Sequence, residues 1–179
     1  MKKTASFILA LTMLCSLCAC GLLDLSLSQK TSTKKGYIGD TMSTYWFDFT
    51  VEDAFTCSEY EGYTAHDGYQ LVVATMTVKN TWERSVDLWE TDFLILWDDP
   101  DENSGWEITV PVYNEEQFPE EYSLGINKSR TGLLIYEVPE EYRDFAIWFQ
   151  ELYEDVDNPE NEDGIEGDSF FVSFTPEER

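Results

Sequence analysis

Asp99, Asp101 and Asn103 stand at alternate positions in DDPDENSG, residues 98 to 105, the spacing of the first three oxygen ligands of a calcium loop. Such a loop needs Gly at its sixth position and a bidentate Glu at its twelfth; this chain has Ser104 and Val110 there. The second acidic run, residues 154 to 168, puts Pro159 and Glu160 where a ligand and the Gly belong. Both runs read as solvated loops that hold divalent cations weakly at most, so no metal or cofactor is expected. With 36 acidic residues, some pair of carboxylates falls at any chosen separation. An exported carboxylate-dependent hydrolase is therefore an alternative carried by number rather than by pattern. Cys57 needs a base to act as a nucleophile, and the single histidine, His66, lies nine residues on in a loop rich in Gly and Tyr. Cys57 reads as a packing residue, and one His excludes most metal-hydrolase schemes. The aromatic residues remain. Tyr60, Tyr63, Trp82 and Trp89, with Tyr69, sit in or beside loops, where an exposed ring can stack on a sugar or anchor a protein.

The charge is lopsided: 36 Asp and Glu against 11 Lys and Arg, a formal net charge of −25. Lys2 and Lys3 precede every acidic residue, so the chain beyond residue 20 carries about −27. Such a surface repels nucleic acid and anionic lipid heads and attracts cations or basic partners. Lys2 and Lys3 also open a short basic region ahead of the apolar run from Ala5 to Leu17. This reads as a secretory signal peptide, the apolar run being too short for a membrane span. Leu17-Cys18-Ala19-Cys20 resembles the lipobox of bacterial lipoproteins, although Cys18 is an unusual occupant of its position. By that resemblance residues 1 to 19 are removed and Cys20, carrying a diacylglyceryl thioether, becomes the mature N-terminus. The membrane is then a partner through the anchor, and the folded domain faces outward toward a protein or cell-envelope ligand. Cys57 is left alone in the mature domain, with no intrachain disulfide to form.

The elements that must position these residues are strands. Residues 20 to 36, ending KTSTKKG, read as the lipidated Cys and a flexible tether, and 37 to 179 as one domain. In YQLVVATMTVKN, Val72, Ala74, Met76 and Val78 point one way and Leu71, Val73, Thr75 and Thr77 the other. That is a central antiparallel strand with one face in the core and the other half covered. Tyr45, Phe47, Phe49 and Val51 line one face of an earlier strand that runs on to Cys57. Phe93, Ile95 and Trp97 share a face, with Leu94 and Leu96 opposite, so that both sides of that strand are expected to be covered. Trp106, Ile108, Val110 and Val112 alternate as a further strand. Residues 114 to 125 read as a crossing loop with a helical turn. Arg130 to Val138 is a strand stopped by Pro139, with Glu140 and Glu141 suited to a brief helix. Phe145, Ile147 and Phe149, then Phe170, Val172 and Phe174, point inward from the last two strands, with the acidic loop 154 to 168 between them. Seven or eight short strands without a long helical period predict an all-β, immunoglobulin-like antiparallel sandwich.

Lys79-Asn80 at a strand end, Val86-Asp87-Leu88, Thr91-Asp92-Phe93, and Leu124-Gly125 ahead of Gly132-Leu133-Leu134-Ile135-Tyr136-Glu137-Val138-Pro139 form a familiar pattern. Over residues 37 to 150 the chain resembles the Ig-like lipoproteins of Gram-positive bacteria grouped under domains of unknown function. These are related in fold to the mycobacterial secreted immunoprotective antigen. The resemblance implies a sandwich outside the membrane and brings no catalytic residues with it. The chain departs from the pattern in its two acidic loops and at Gly125-Ile126-Asn127, where members commonly show a Pro-Gly turn.

The anchor is tested directly. Cys20→Ala should leave the protein unprocessed or release it to the medium, as membrane fractionation and intact mass will show. A variant that stays processed and membrane-bound rules the anchor out.

Overall fold

A computed structural model describes residues 31–98, 105–155 and 164–179. Cys20, Asp99, Asp101 and Asn103 lie outside the described residues. The strands are β1 (Thr33–Tyr37), β2 (Thr41–Ser43), β3 (Phe47–Cys57), β4 (Glu59–Tyr60), β5 (Tyr63–Thr64), β6 (Tyr69–Asn80) and β7 (Val86–Trp89). They continue as β8 (Leu94–Trp97), β9 (Gly105–Glu107), β10 (Glu121–Leu124), β11 (Ser129–Pro139), β12 (Phe145–Tyr153), β13 (Ile165–Phe174) and β14 (Glu177–Glu178). One sheet runs β11-β6-β3, with β2 and the parallel β14 sharing the outer edge of β3. The other runs β1-β13-β12-β8-β9, with β1 parallel to β13. Short pairs β10–β7 and β4–β5 complete the set. Three antiparallel strands packed on a sheet that grows outward from β13-β12-β8 form an immunoglobulin-like sandwich. β1, β2, β4, β5, β10 and β14 add to the eight strands expected; each is too short or too polar to show an apolar period of its own.

β6 behaves as its alternation requires. Val72, Ala74, Met76 and Val78 are buried between the sheets. They meet Leu134, Tyr136 and Val138 of β11 and the inward rows of β12 and β13. At the centre Phe47 lies 5.0 Å from Phe149, and Phe93 lies 5.4 Å from both Phe49 and Phe149, ring centre to ring centre. Such ring pairs add roughly 0.5–1.5 kcal/mol each beyond the area they bury. They hold the sheets together with Cys57 free.

The other face of β6 needs cover as well. Leu71, Val73 and Ile135 form a second buried cluster with Val110. The β4–β5 hairpin and the stretch from Val110 to Tyr113 lie over it. This explains where the expected strand from Trp106 to Val112 is overturned: only Gly105–Glu107 stays in the five-stranded sheet. Beyond it Thr109 bridges to Tyr136, and the Val110 N–H donates to the Ile135 carbonyl at 2.8 Å. The departing chain thus satisfies the free edge of β11, which outweighs continuing a short strand. The crossing loop 114–125 takes no helical turn and ends as β10 against β7. Glu140 and Glu141 form a turn rather than a helix, because β12 begins at Phe145 and leaves no length for one; the buried Gln70 amide holds the turn at the Tyr142 carbonyl, 2.9 Å away. Thr33–Tyr37, assigned from sequence to the tether, is β1: its backbone extends the edge of β13, and the Ser32 N–H donates to Asp168.

Asn80 ends β6 fully buried, and three bonds explain its place there. Its amide donates to the Arg84 carbonyl at 2.7 Å and the Leu124 carbonyl at 2.8 Å, and its oxygen accepts the Trp82 N–H at 2.8 Å. Asn80→Ala should cost about 2–4 kcal/mol in chemical denaturation. Asn80→Asp should cost at least as much, since a carboxylate cannot donate to either carbonyl. A near-neutral Asp variant would show that the two donated bonds do not hold the strand end.

Candidate functional site

The aromatic residues singled out by sequence fall into separate places. Glu61 and Gly62 both have positive φ, 48° and 88°, as a two-residue type I′ hairpin requires, and this sets Tyr60 opposite Tyr63. Both rings pack on the second cluster. Tyr63 stacks on Tyr113 at 5.1 Å, and the Tyr113 hydroxyl donates to the Tyr60 carbonyl. Burial pushes the Tyr113 hydroxyl up to about 12. Trp82 lies just beyond the far end of β6, packed on the main core beneath the Arg84 guanidinium. Trp89 ends β7, is 44% exposed, and its N–H is capped by Asp92. Tyr60 and Tyr63 form one group, and Trp82 is at the other end of a strand about 35 Å long.

A group not foreseen surrounds Glu137. The Asp67-Gly68 turn, with the Tyr69 N–H on the His66 carbonyl, brings His66 over β11. Glu137 accepts from the His66 backbone N–H, from the His66 ring Nδ1 at 2.7 Å and from the Tyr63 hydroxyl at 3.2 Å. Burial alone would raise the Glu137 carboxyl, but the His66 amide and ring and the Tyr63 hydroxyl outweigh it and hold the carboxyl below its ordinary value.

At the end of the sandwich near Trp82, the buried Glu151 carboxylate accepts from the Tyr45 N–H at 2.7 Å, the Tyr153 hydroxyl at 2.8 Å and the Asp168 N–H at 3.1 Å. Tyr45, Trp46 and Tyr153 are in ring contact there at 5.0–6.0 Å, which closes the group on itself.

A wide recess lies on the outer face of the five-stranded sheet. Its register places Tyr37, Ser173, Ala146, Leu96 and Trp106 in one row across the strands, and Lys35, Phe171, Trp148 and Leu94 in the next. Tyr37 and Trp106 are 71% and 60% exposed at the two edges, and the small Ser173 and Ala146 lie between them. A groove of about 720 Å³ follows, floored by Trp148, Phe171 and Leu96. Leu94 and Leu96, expected to be covered, are half-exposed here because nothing in the described chain packs on this face. Asp98 and Asp144 continue the register past the Trp97–Phe145 pair, so two carboxylates flank one end of the groove and Lys35 the other side. Sequence held the signal: the outward positions of β8 and β12 read Leu94, Leu96, Ala146 and Trp148, with no charge among them.

The fold and these surfaces define a class, an antiparallel Ig-like β-sandwich with an apolar sheet face. No family model matches the chain, and no curated protein matches it. In structure it is similar to the yjhA protein of Bacillus subtilis, with TM-score 0.53 and 18% identity over 76% of this chain and 99% of that one. It is similar at TM-score 0.48 and 16% identity to ycdA of Bacillus subtilis subsp. subtilis str. 168, described as a proposed lipoprotein. That match covers 75% of this chain, which spans only 38% of the ycdA length. A β-sandwich protein of Clostridium difficile 630 is similar at TM-score 0.44 and 10% identity, over 82% of this chain and 97% of that one. At these identities the yjhA likeness supports the fold alone.

The Glu137 group gives a signed pH expectation. A carboxyl whose folded value lies below its unfolded one, about 4.3, stabilises the fold fully above that value. Its contribution is lost as pH falls through the folded value. Glu137→Gln should therefore destabilise by about 1–3 kcal/mol at neutral pH, with a deficit that shrinks below about pH 4. Urea midpoints for both proteins from pH 3 to 7, set about one unit apart, will show whether the deficit closes. A deficit constant with pH would mean that the carboxylate charge contributes nothing.

Proposed function

We propose that this chain is a lipid-anchored extracytoplasmic binding module, without catalysis of its own, whose five-stranded sheet docks a partner presenting apolar side chains beside basic ones. The outward face carries the reading: Trp148, Phe171 and Leu96 are half-buried along a groove on a sheet whose inner face already fills the core. Charge selects the partner. Asp98 and Asp144, opposite one another at the groove end, repel in the free protein and are relieved by a cation set between them. The net charge of −25 draws a basic partner from a distance and disfavours a second copy of this chain. The lipobox-like Leu17-Cys18-Ala19-Cys20 supports the anchor.

The test compares two amphipathic peptides with the same Leu and Trp face, one carrying Lys and the other Glu on its flanks. The Lys peptide should bind one-to-one, more weakly as salt rises, and Ala146→Arg should weaken it by about tenfold or more with the melting temperature retained. The Glu peptide should not bind. Equal binding of both, or indifference to Ala146→Arg, would remove the groove from the account. A dimer in sedimentation that Ala146→Arg dissolves would give the face to a second copy instead.

A further inference from the structure

A second recess, of about 570 Å³, opens where residues 107–111 cross from one sheet to the other, and it shares no lining residue with the groove. It falls within the range of about 300–1,000 Å³ usual for small-ligand sites. We propose that this recess binds a saccharide, with one sugar ring stacked on Tyr69 and its hydroxyls held by His66, Glu107 and Thr109. Four observations point the same way.

The Tyr69 side chain is 46% exposed at the rim, and a phenol ring offers the flat apolar platform that the C–H face of a sugar ring needs. His66 lines the recess with its ring already oriented. Glu137 takes the Nδ1 side at 2.7 Å, so in the neutral imidazole the proton sits on Nδ1 and Nε2 remains an acceptor. Glu107 adds a carboxylate oxygen beyond the one that accepts the Ile108 N–H. Thr109 supplies the fourth. The residue is 6% exposed, and its Oγ1 is buried in the recess wall without a hydrogen-bond partner among the described residues. A hydroxyl left that way is destabilising, and a ligand that both accepts and donates relieves it.

The set selects by chemistry. Two acceptors and one hydroxyl of either role match vicinal hydroxyls, which donate and accept from neighbouring carbons. The carboxylates of Glu107 and Glu137 repel phosphate and carboxylate ligands. Pro111 and Ile108 complete an apolar wall suited to the edge of a ring. The recess is independent of the groove, so it adds a small-molecule specificity to the protein contact proposed above.

The experiment titrates the full chain with β-linked disaccharides of glucose and of N-acetylglucosamine, and with α-linked disaccharides of glucose and of mannose, following backbone amide resonances and heat. At least one should bind with shifts at residues 66, 69, 107 and 109. Tyr69→Ala should weaken it by about tenfold or more. Thr109→Val should weaken it by about fivefold while leaving the melting temperature equal or higher, a combination that a purely structural threonine would not give. Failure of all four sugars up to their solubility limit overturns the proposal. So does binding that neither substitution alters, or a tetramethylammonium titration that shifts the same resonances when no sugar does.

Discussion

β6 buries apolar side chains on both faces, and most of the molecule answers that constraint. A strand with Val72, Ala74, Met76 and Val78 on one side and Leu71 and Val73 on the other cannot serve as the outer wall of a simple sandwich. One side closes against the second sheet through the phenylalanine cluster. The other recruits the β4–β5 hairpin and the stretch from Val110 to Tyr113, and both have to arrive in extended form because buried backbone must be paired. Val110 and Leu133 therefore exchange main-chain bonds with neighbouring segments, and past them Phe118 turns back into the main core against Gly132, where a Cβ would stand 3.0 Å from its ring. The recess between Tyr69 and Thr109 is a by-product of that cover: the chain lies over Leu71 and Val73 but does not fill the corner where it turns.

The period-two pattern made the main strands legible. In β3, β6, β11, β12 and β13 the inward rows are those the alternation marks, because burial on one face leaves a strong contrast between neighbours. The pattern misleads where backbone pairing and not side-chain burial decides. Ile108 to Val112 alternates as well as any strand, yet the chain leaves the sheet there to satisfy the edge of β11. Thr33–Tyr37 has no apolar alternation at all and is still a strand, held by the backbone edge of β13. Glu140-Glu141 has the composition of a helix start, but β12 follows at Phe145 and the Gln70 amide fixes the short turn at the Tyr142 carbonyl. Such bonds join residues about seventy positions apart and leave no local trace.

The sites were harder to read for a related reason. Loop aromatics are visible in a sequence, but whether they converge depends on strand length. Tyr60 and Tyr63 meet because a two-residue turn pairs them, whereas Trp82 is carried to the opposite end by β6. His66 and Glu137 are 71 residues apart and come together only because the chain turns at Gly68 and again at Pro139. The groove is the exception. Its outward row was open to inspection in Leu94, Leu96, Ala146, Trp148 and Phe171, once each strand was asked what its second face carries. The half-covered second face expected of β6 is found, with Leu71 and Val73 buried and Thr75 and Thr77 partly exposed. The two-sided cover expected of β8 is not, since Leu94 and Leu96 stay half-exposed.

That contrast bears on why the surface is so acidic. An outward Trp148 or Phe171 adds nothing to the inner core and exposes area that favours self-association, worth about 25 cal/mol for each Å² a neighbour would cover. A chain with 36 carboxylates opposes such encounters at long range, and most strongly between identical copies. The same charge favours encounter with cations over anions, so one property acts on every approach to the sheet face. Asp98 and Asp144 repeat this logic at short range: two carboxylates set side by side at the end of the groove disfavour an anion there and favour a cation.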